Sequence, residues 1–261
     1  MKKCLKGTPP NSLKEYCFSN PHASWDNFKN ECQEGYIEVQ NKLQQDQGNL
    51  CCYCEINTKQ GGGEAINDFR VEHFHPKSIA NQSENNWALD WHNMLGCCHG
   101  GSEKYVIDNN ARYIAEHSER HSDVLKGDSI LDGDILNPLD IPAFPVLFKA
   151  NRRDGHLSVH EQNCRKAGVD EVKAKNCLDP KKLNLNSVKL MRDRKVVLDA
   201  VNEQFAAQIS KNISEEGALE NLAKALLQKD DQQHWPAFFT TIRYYLGESS
   251  ENYLKSINYD G

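Results

Sequence analysis

Between Leu50 and Ile56 the chain reads LCCYCEI, and some twenty residues later it reads RVEHFHPKS. Cys51 and Cys54 form C-x-x-C, a spacing that lets two thiolates from one tight turn hold a tetrahedral zinc at about 2.3 Å each. A second pair of ligands has to come from elsewhere, and Cys97, Cys98, His99, His117 and His121 are the candidates. The alternative is that these cysteines are small core hydrophobes, since free cysteine is among the most buried residue types. Glu72-His73 falls between the two half-sites. Neighbours on a strand point apart, but at a twisted strand end the carboxylate can hold a divalent ion while the imidazole faces an attacking water. Histidine is the natural general base near neutral pH, and an ion such as Mg²⁺ stabilises charge on a leaving oxygen. That combination suits phosphodiester hydrolysis. Alone, Glu-His would read as a surface dipeptide, and its place between metal half-sites is what singles it out.

The elements that must position these residues can be read in outline. A helix is expected from Ser24 or Asp26, with apolar Phe28, Tyr36, Val39 and Leu43, after an irregular start. GNLCCYCEI suggests a turn and a compact hairpin, QGGGEAIND a flexible loop, and FRVEHFHPKS a short strand stopped by Pro76. WALDWHNMLGCC suggests a short helix, followed by an irregular insertion through HSERHSD. Three prolines in LNPLDIPAFP mark a break. Beyond it NSVKLMRDRKVVLDAVNEQFAAQI carries a helical apolar pattern capped by Asn186 or Ser187. Further helices are expected over about 214–229 and from Pro236 onward. The expected organisation is a domain over 1–135, a Pro-rich connector over 136–150 and a helical region over 151–261, in an α+β, mostly helical fold. Trp25, Trp87 and Trp91 are expected to pack the first domain. Cys164 and Cys177, near His156 and His160, are irregularly spaced and read as core or surface residues.

The bulk properties bound the function. A chain of 261 residues buries a self-sufficient core, and a mean hydropathy of -0.73 with 26% charged residues is that of a soluble protein. No apolar signal region follows the first lysines and no window matches a membrane span, so a cytoplasmic location is expected, with no membrane partner. In a reducing compartment, clustered cysteines favour metal over disulfides. The net charge of -6 argues against a free-standing nucleic-acid binder. Arg165, Lys166, Lys173, Lys175, Lys181 and Lys182 read as a solvated face, and a basic surface could also come from a partner.

The run of C-x-x-C, VEHFHPKS and WHNMLGCC resembles an HNH endonuclease of the zinc-stapled kind. With SWDNF, DQGNLCCYCE, HSDVLKGDSI and LNLNSVKLMRDRK, over roughly residues 24–200, the chain resembles the nuclease subunit of Septu-type and retron-associated anti-phage systems. The resemblance implies a small ββα-metal core between an N-terminal helix and a C-terminal helical region. It makes His73 the general base, Glu72 a ligand of a catalytic Mg²⁺ or similar ion, and Asn93 the residue whose hydrogen bonds hold the loop presenting His73. Asp123 would be a second metal ligand, with Lys77 and Lys126 touching nucleic acid. If the motif ends earlier, His99 takes the last metal position and Asp123 is a bystander. Ser122 stands where relatives carry a zinc-binding cysteine. Structural Zn²⁺ would then need a substitute for it, from His121, His117, Cys98 or His99. Adjacent His121 is favoured, which completes a set of Cys51, Cys54, Cys97 and His121. The implied reaction is cleavage of DNA. The implied partners are an ABC-type ATPase subunit, the nucleic-acid substrate and, in retron-linked versions, a reverse transcriptase with its RNA–DNA product. Two other readings share the sequence: an RNA nuclease, tRNA included, and a non-catalytic zinc-stapled adaptor that bridges partners through its C-terminal helices and for which Glu72 and His73 are dispensable.

Overall fold

The structure, a computed structural model, describes residues 1–58, 68–78, 85–102 and 116–261. The side chain of His117, the expected glycine-rich loop and most of the expected insertion lie outside the described residues. Three helices lead: α1 (Asn11–Ser19), α2 (Trp25–Glu31) and α3 (Gln33–Asp46). α1 occupies a stretch read as irregular; it lays Leu13 into a small core made mainly by later residues. The single helix expected from Ser24 is two. Ser24 and Asn27 form a reciprocal capping box that starts α2, and Cys32 leaves helical geometry at φ -131° and ψ 64° before α3 begins.

Next comes an antiparallel hairpin of β1 (Arg70–His73) and β2 (Met94–Cys97), in which Glu72 faces Leu95 and His73 faces Met94. β2 and a one-turn 3₁₀ segment at Trp91–Asn93 replace the helix expected there. One edge of β2 is completed by a side chain. The amide of Gln47 donates to the Gly96 carbonyl at 2.8 Å and accepts from the Gly96 N–H at 2.7 Å. The short helix α4 (Asp123–Lys126) packs on the hairpin. Phe28, Val39, Leu43, Phe69, Trp91 and Met94 form the small core that joins the leading helices to the hairpin.

The remainder holds a second hairpin, β3 (Phe148–Ala150), at the end of the expected connector, with β4 (Leu157–Val159), in the region where helices were expected. Buried Phe148, Ala150, Leu157 and Val159 alternate with outward Lys149 and Ser158, a period of two too short to be told from noise. Helices α5 (Glu161–Ala167), α6 (Glu171–Leu178), α7 (Val188–Ile209), α8 (Glu215–Leu226) and α9 (Phe239–Ser256) follow. Ser187 caps α7 through the Leu190 N–H. α9 begins at Phe239 rather than Pro236, and kinks at Gly247 (φ 58°).

The fold is α+β and mostly helical, as expected. The proline-rich stretch is packed rather than strung out: Ile135, Leu136, Ile141, Leu147 and Phe148 are buried in the larger core, which takes residues from Met1 to Tyr259. Among the described residues, no helix is long and apolar enough to cross a membrane.

Candidate active site and metal centre

The turn 51–55 is held by Cys51 N–H to the Ile56 carbonyl at 3.0 Å, and by Cys52 N–H to the Gly96 carbonyl at 3.0 Å. This sets the knuckle against the end of β2. The sulfurs of Cys51, Cys54 and Cys98 lie within 4.8 Å of one another, as do those of Cys51, Cys52 and Cys97, and all five residues are buried. Cys54 and Cys98 are 3.6 Å apart, and Cys98 is 3.9 Å from Nε2 of His121. Two thiolates on one tetrahedral zinc stand about 3.8 Å apart, so the thiols of Cys51, Cys54 and Cys98 fit that ion, and His121 stands beside Cys98. Cys97, the expected ligand, belongs to the second group, with its sulfur 3.6 Å from that of Cys51, and it also reaches Oδ1 of Asp123 at 3.5 Å.

Ser122 does face the cluster, with Oγ 3.9 Å from Cys51 and 3.8 Å from Cys98. His121 is brought in by a close approach: its N–H bonds the Gly100 carbonyl at 3.2 Å, and a Cβ on Gly100 (φ 53°) would lie 2.1 Å from the His121 carbonyl oxygen. Burial opposes charge on His121, but its bond to Cys98 leaves it above the ordinary imidazole value. Burial likewise opposes the Cys51 thiolate, and hydrogen bonds from neighbouring thiols outweigh it, holding Cys51 well below a normal thiol.

Glu72 and Asp123 meet on the other side of the knuckle. Both line a cavity of about 250 Å³ with Arg70, His73, Pro76, Lys77, Gly127 and Asp128. Glu72 accepts from Lys126 at 2.8 Å and from the Tyr53 hydroxyl at 3.1 Å. Asp123 accepts from Arg70 Nε at 2.7 Å. Burial first, then the hydrogen-bonded Asp123 carboxyl beside it, push Glu72 up to about 8, with Lys126 opposing. Two carboxyls in contact at a cavity wall fit one divalent ion. His99 does not line that cavity, and its N–H bonds Asp68 at 2.6 Å.

His73 is buried at 6% exposure. Its Nε2 bonds the Ala88 carbonyl at 3.0 Å, and its ring meets Trp25 edge-on at 5.0 Å. That carbonyl accepts only a protonated nitrogen, so Nδ1 is the basic atom. Burial holds His73 down at about 3, hence neutral. Asn93 accepts from the His75 N–H at 2.7 Å and donates to the carbonyls of His75 at 2.9 Å and Trp87 at 2.8 Å. It therefore ties down the segment that follows His73.

Lys77 stands at the cavity rim, 41% exposed and 3.9 Å from Asp26. Lys126 does not lie where a phosphate could meet it. Its side chain is 1% exposed, and its ammonium is engaged by Glu72 and by the His73 carbonyl at 2.9 Å. A buried ammonium is tolerated only with such partners.

Sequence reasoning passed over Tyr53 and Arg70, which bind the two carboxyls. Period-two alternation from Glu72 back to Arg70 is the signal that could have found the latter. It also passed over the pair of His75 with Asp132 at 2.5 Å, on a cavity of about 630 Å³ that Trp87 lines. Trp25 and Trp91 pack in the small core. Cys164 and Cys177 are core residues bonded to the Leu147 and Lys173 carbonyls. Within the basic segment, Arg165, Lys175 and Lys182 pair with Glu171, Glu161 and Asp134.

No family model matches the chain. One curated protein, the "Retron Ec83 putative HNH endonuclease" of Escherichia coli, is 29% identical over 253 residues, which cover 93% of this chain and 92% of that protein. The similarity runs through the cysteine knuckle, the hairpin and the C-terminal helices alike, and it bears out the resemblance to HNH endonucleases of the retron-associated kind.

Proposed function

We propose that this chain is a metal-dependent HNH endonuclease that cuts phosphodiester bonds in DNA, as the effector subunit of an anti-phage complex with an ABC-type ATPase. The observation that carries the reading is the meeting of Glu72 and Asp123 at the wall of a cavity that His73 also lines. A divalent ion such as Mg²⁺ on these carboxylates supplies stabilisation of the charge that develops on the leaving oxygen. The Ala88 carbonyl holds the proton of His73 on Nε2, so Nδ1 takes a proton from the attacking water. Asn93 keeps the following segment in place. Lys77 offers its ammonium to the scissile phosphate at the rim. Arg70 and Lys126 keep two neighbouring carboxylates from repelling each other apart. Zinc at Cys51, Cys54, Cys98 and His121 staples the knuckle to the hairpin. A reverse transcriptase and its RNA–DNA product complete the assembly in a retron setting.

The test is expression with the genomic neighbours and incubation with labelled DNA and RNA, with and without Mg²⁺. Wild type is expected to cut DNA only with the metal, and His73→Ala and Glu72→Gln to lose about 100-fold or more. Equal cleavage by His73→Ala removes the catalytic reading and leaves the adaptor. Cutting confined to RNA moves the substrate to the other nucleic acid. Copurification of an ATPase tests the partnership.

A further inference from the structure

The thiol cluster and the carboxylate pair are one hydrogen bond apart, twice over. Tyr53 sits inside the knuckle, between Cys52 and Cys54, with no exposed surface, and its hydroxyl donates to Oε1 of Glu72 at 3.1 Å. Cys97, 3.6 Å from the sulfur of Cys51, donates to Oδ1 of Asp123 at 3.5 Å. Each expected metal carboxylate thus receives one hydrogen bond from a residue embedded among the cysteines. Neither donor belongs to the thiol group of Cys51, Cys54 and Cys98.

We propose that Tyr53 and Cys97 are positioning residues that couple the two centres: zinc in the thiol cluster fixes the knuckle, the knuckle fixes Glu72 and Asp123, and the carboxylates gain affinity for their divalent ion. The inference rests on the nuclease reading of those carboxylates. Pinning Cys51 and Cys54 on one ion pins Tyr53 in the turn between them, and its hydroxyl then holds Glu72 in one orientation. Cys97 does the same for Asp123 from the other flank. Outer partners of metal ligands are worth about 10- to 100-fold in affinity, and coupling between two binding sites acts equally in both directions. The divalent ion therefore tightens the zinc by the same factor.

The experiment uses the full chain and Mn²⁺, which favours oxygen over thiolate ligands and whose free fraction is read by electron paramagnetic resonance. Tyr53→Phe removes one hydroxyl and little volume. It is expected to keep a full equivalent of zinc by elemental analysis while its Mn²⁺ dissociation constant rises about tenfold. The Mg²⁺ concentration for half-maximal cleavage rises in parallel, and saturating Mg²⁺ recovers the rate. Wild type stripped of zinc by a chelator is expected to show the same weakening, reversed when zinc is restored. Unchanged Mn²⁺ affinity in zinc-loaded Tyr53→Phe overturns the coupling and leaves the nuclease reading intact. Wild type that binds no Mn²⁺ overturns both. Should stripping unfold the chain, the Tyr53→Phe arm decides alone.

Discussion

Asn93 shows how much one side chain can hold. It is 4% exposed, and three hydrogen bonds join it to the backbone of His75 and Trp87. Asn93→Ala leaves those groups to water or to nothing, and is expected to cost about 2–4 kcal/mol, read as a lower urea midpoint with an unchanged slope, together with loss of cleavage. Lys6 makes a different prediction. Its ammonium donates to the Met94 carbonyl and lies 3.8 Å over the Trp91 ring, and burial, opposed by Asp46, pushes it down to about 7. The folded value lies below the unfolded one, so the unfolded chain binds more protons between pH 7 and about 10.5, and stability rises with pH across that window. Urea midpoints at pH 7 and 9 are expected to show this rise in wild type, and a smaller rise in Lys6→Met. Among the site residues, the grouping of Cys51 with Cys54 is legible in the sequence because a tight turn leaves two such side chains no other arrangement. The division of Cys97 and Cys98 between two thiol groups is not, since it depends on how β2 is rotated. The burial of Lys126 is also hidden, because a lysine at the end of a helix motif reads the same whether it faces solvent or a carboxylate.

At the scale of elements, two braces keep the centres in register. Gln47, 1% exposed, bonds the Leu50 and Gly96 carbonyls and the Gly96 N–H, and so joins α3, the knuckle and β2. Gln47→Leu keeps the volume and loses three hydrogen bonds, an expected cost of about 2–3 kcal/mol in chemical denaturation. The second brace comes from far along the chain. Asn184 donates to the Ser118 and Arg120 carbonyls at 3.2 and 2.9 Å, and the Leu183 carbonyl accepts from the Ser122 N–H at 2.8 Å. The LNLN stretch therefore shapes the loop that presents His121. Asn184→Ala is expected to release zinc to a chelator about tenfold faster, followed with a colorimetric indicator. Long elements with strong caps, such as α7 behind Ser187, are legible from their pattern. Three- and four-residue strands are not, because their pairing partner, rather than their composition, makes them strands.

For the molecule as a whole, the larger core crosses the proline-rich stretch and unites the knuckle with the C-terminal helices. The joint is specific. Glu55 accepts from the N–H of Thr240 at 2.9 Å, its carbonyl accepts from Phe238 at 2.9 Å, and the Trp235 N–H bonds the Gly48 carbonyl at 3.0 Å. A fragment of residues 1–150 lacks those partners and is expected to show no cooperative thermal transition by circular dichroism, whereas the full chain shows one. The long C-terminal helices are legible from their apolar pattern; their packing against the knuckle is not, because apolar faces do not announce their partners. Gly48 sharpens the point, since a Cβ there would lie 2.3 Å from the Trp235 ring. With φ at 60° as well, position 48 has no room for a side chain on either count, so the turn before the knuckle and the segment before α9 are complementary surfaces, and a cut between them would leave each without its match.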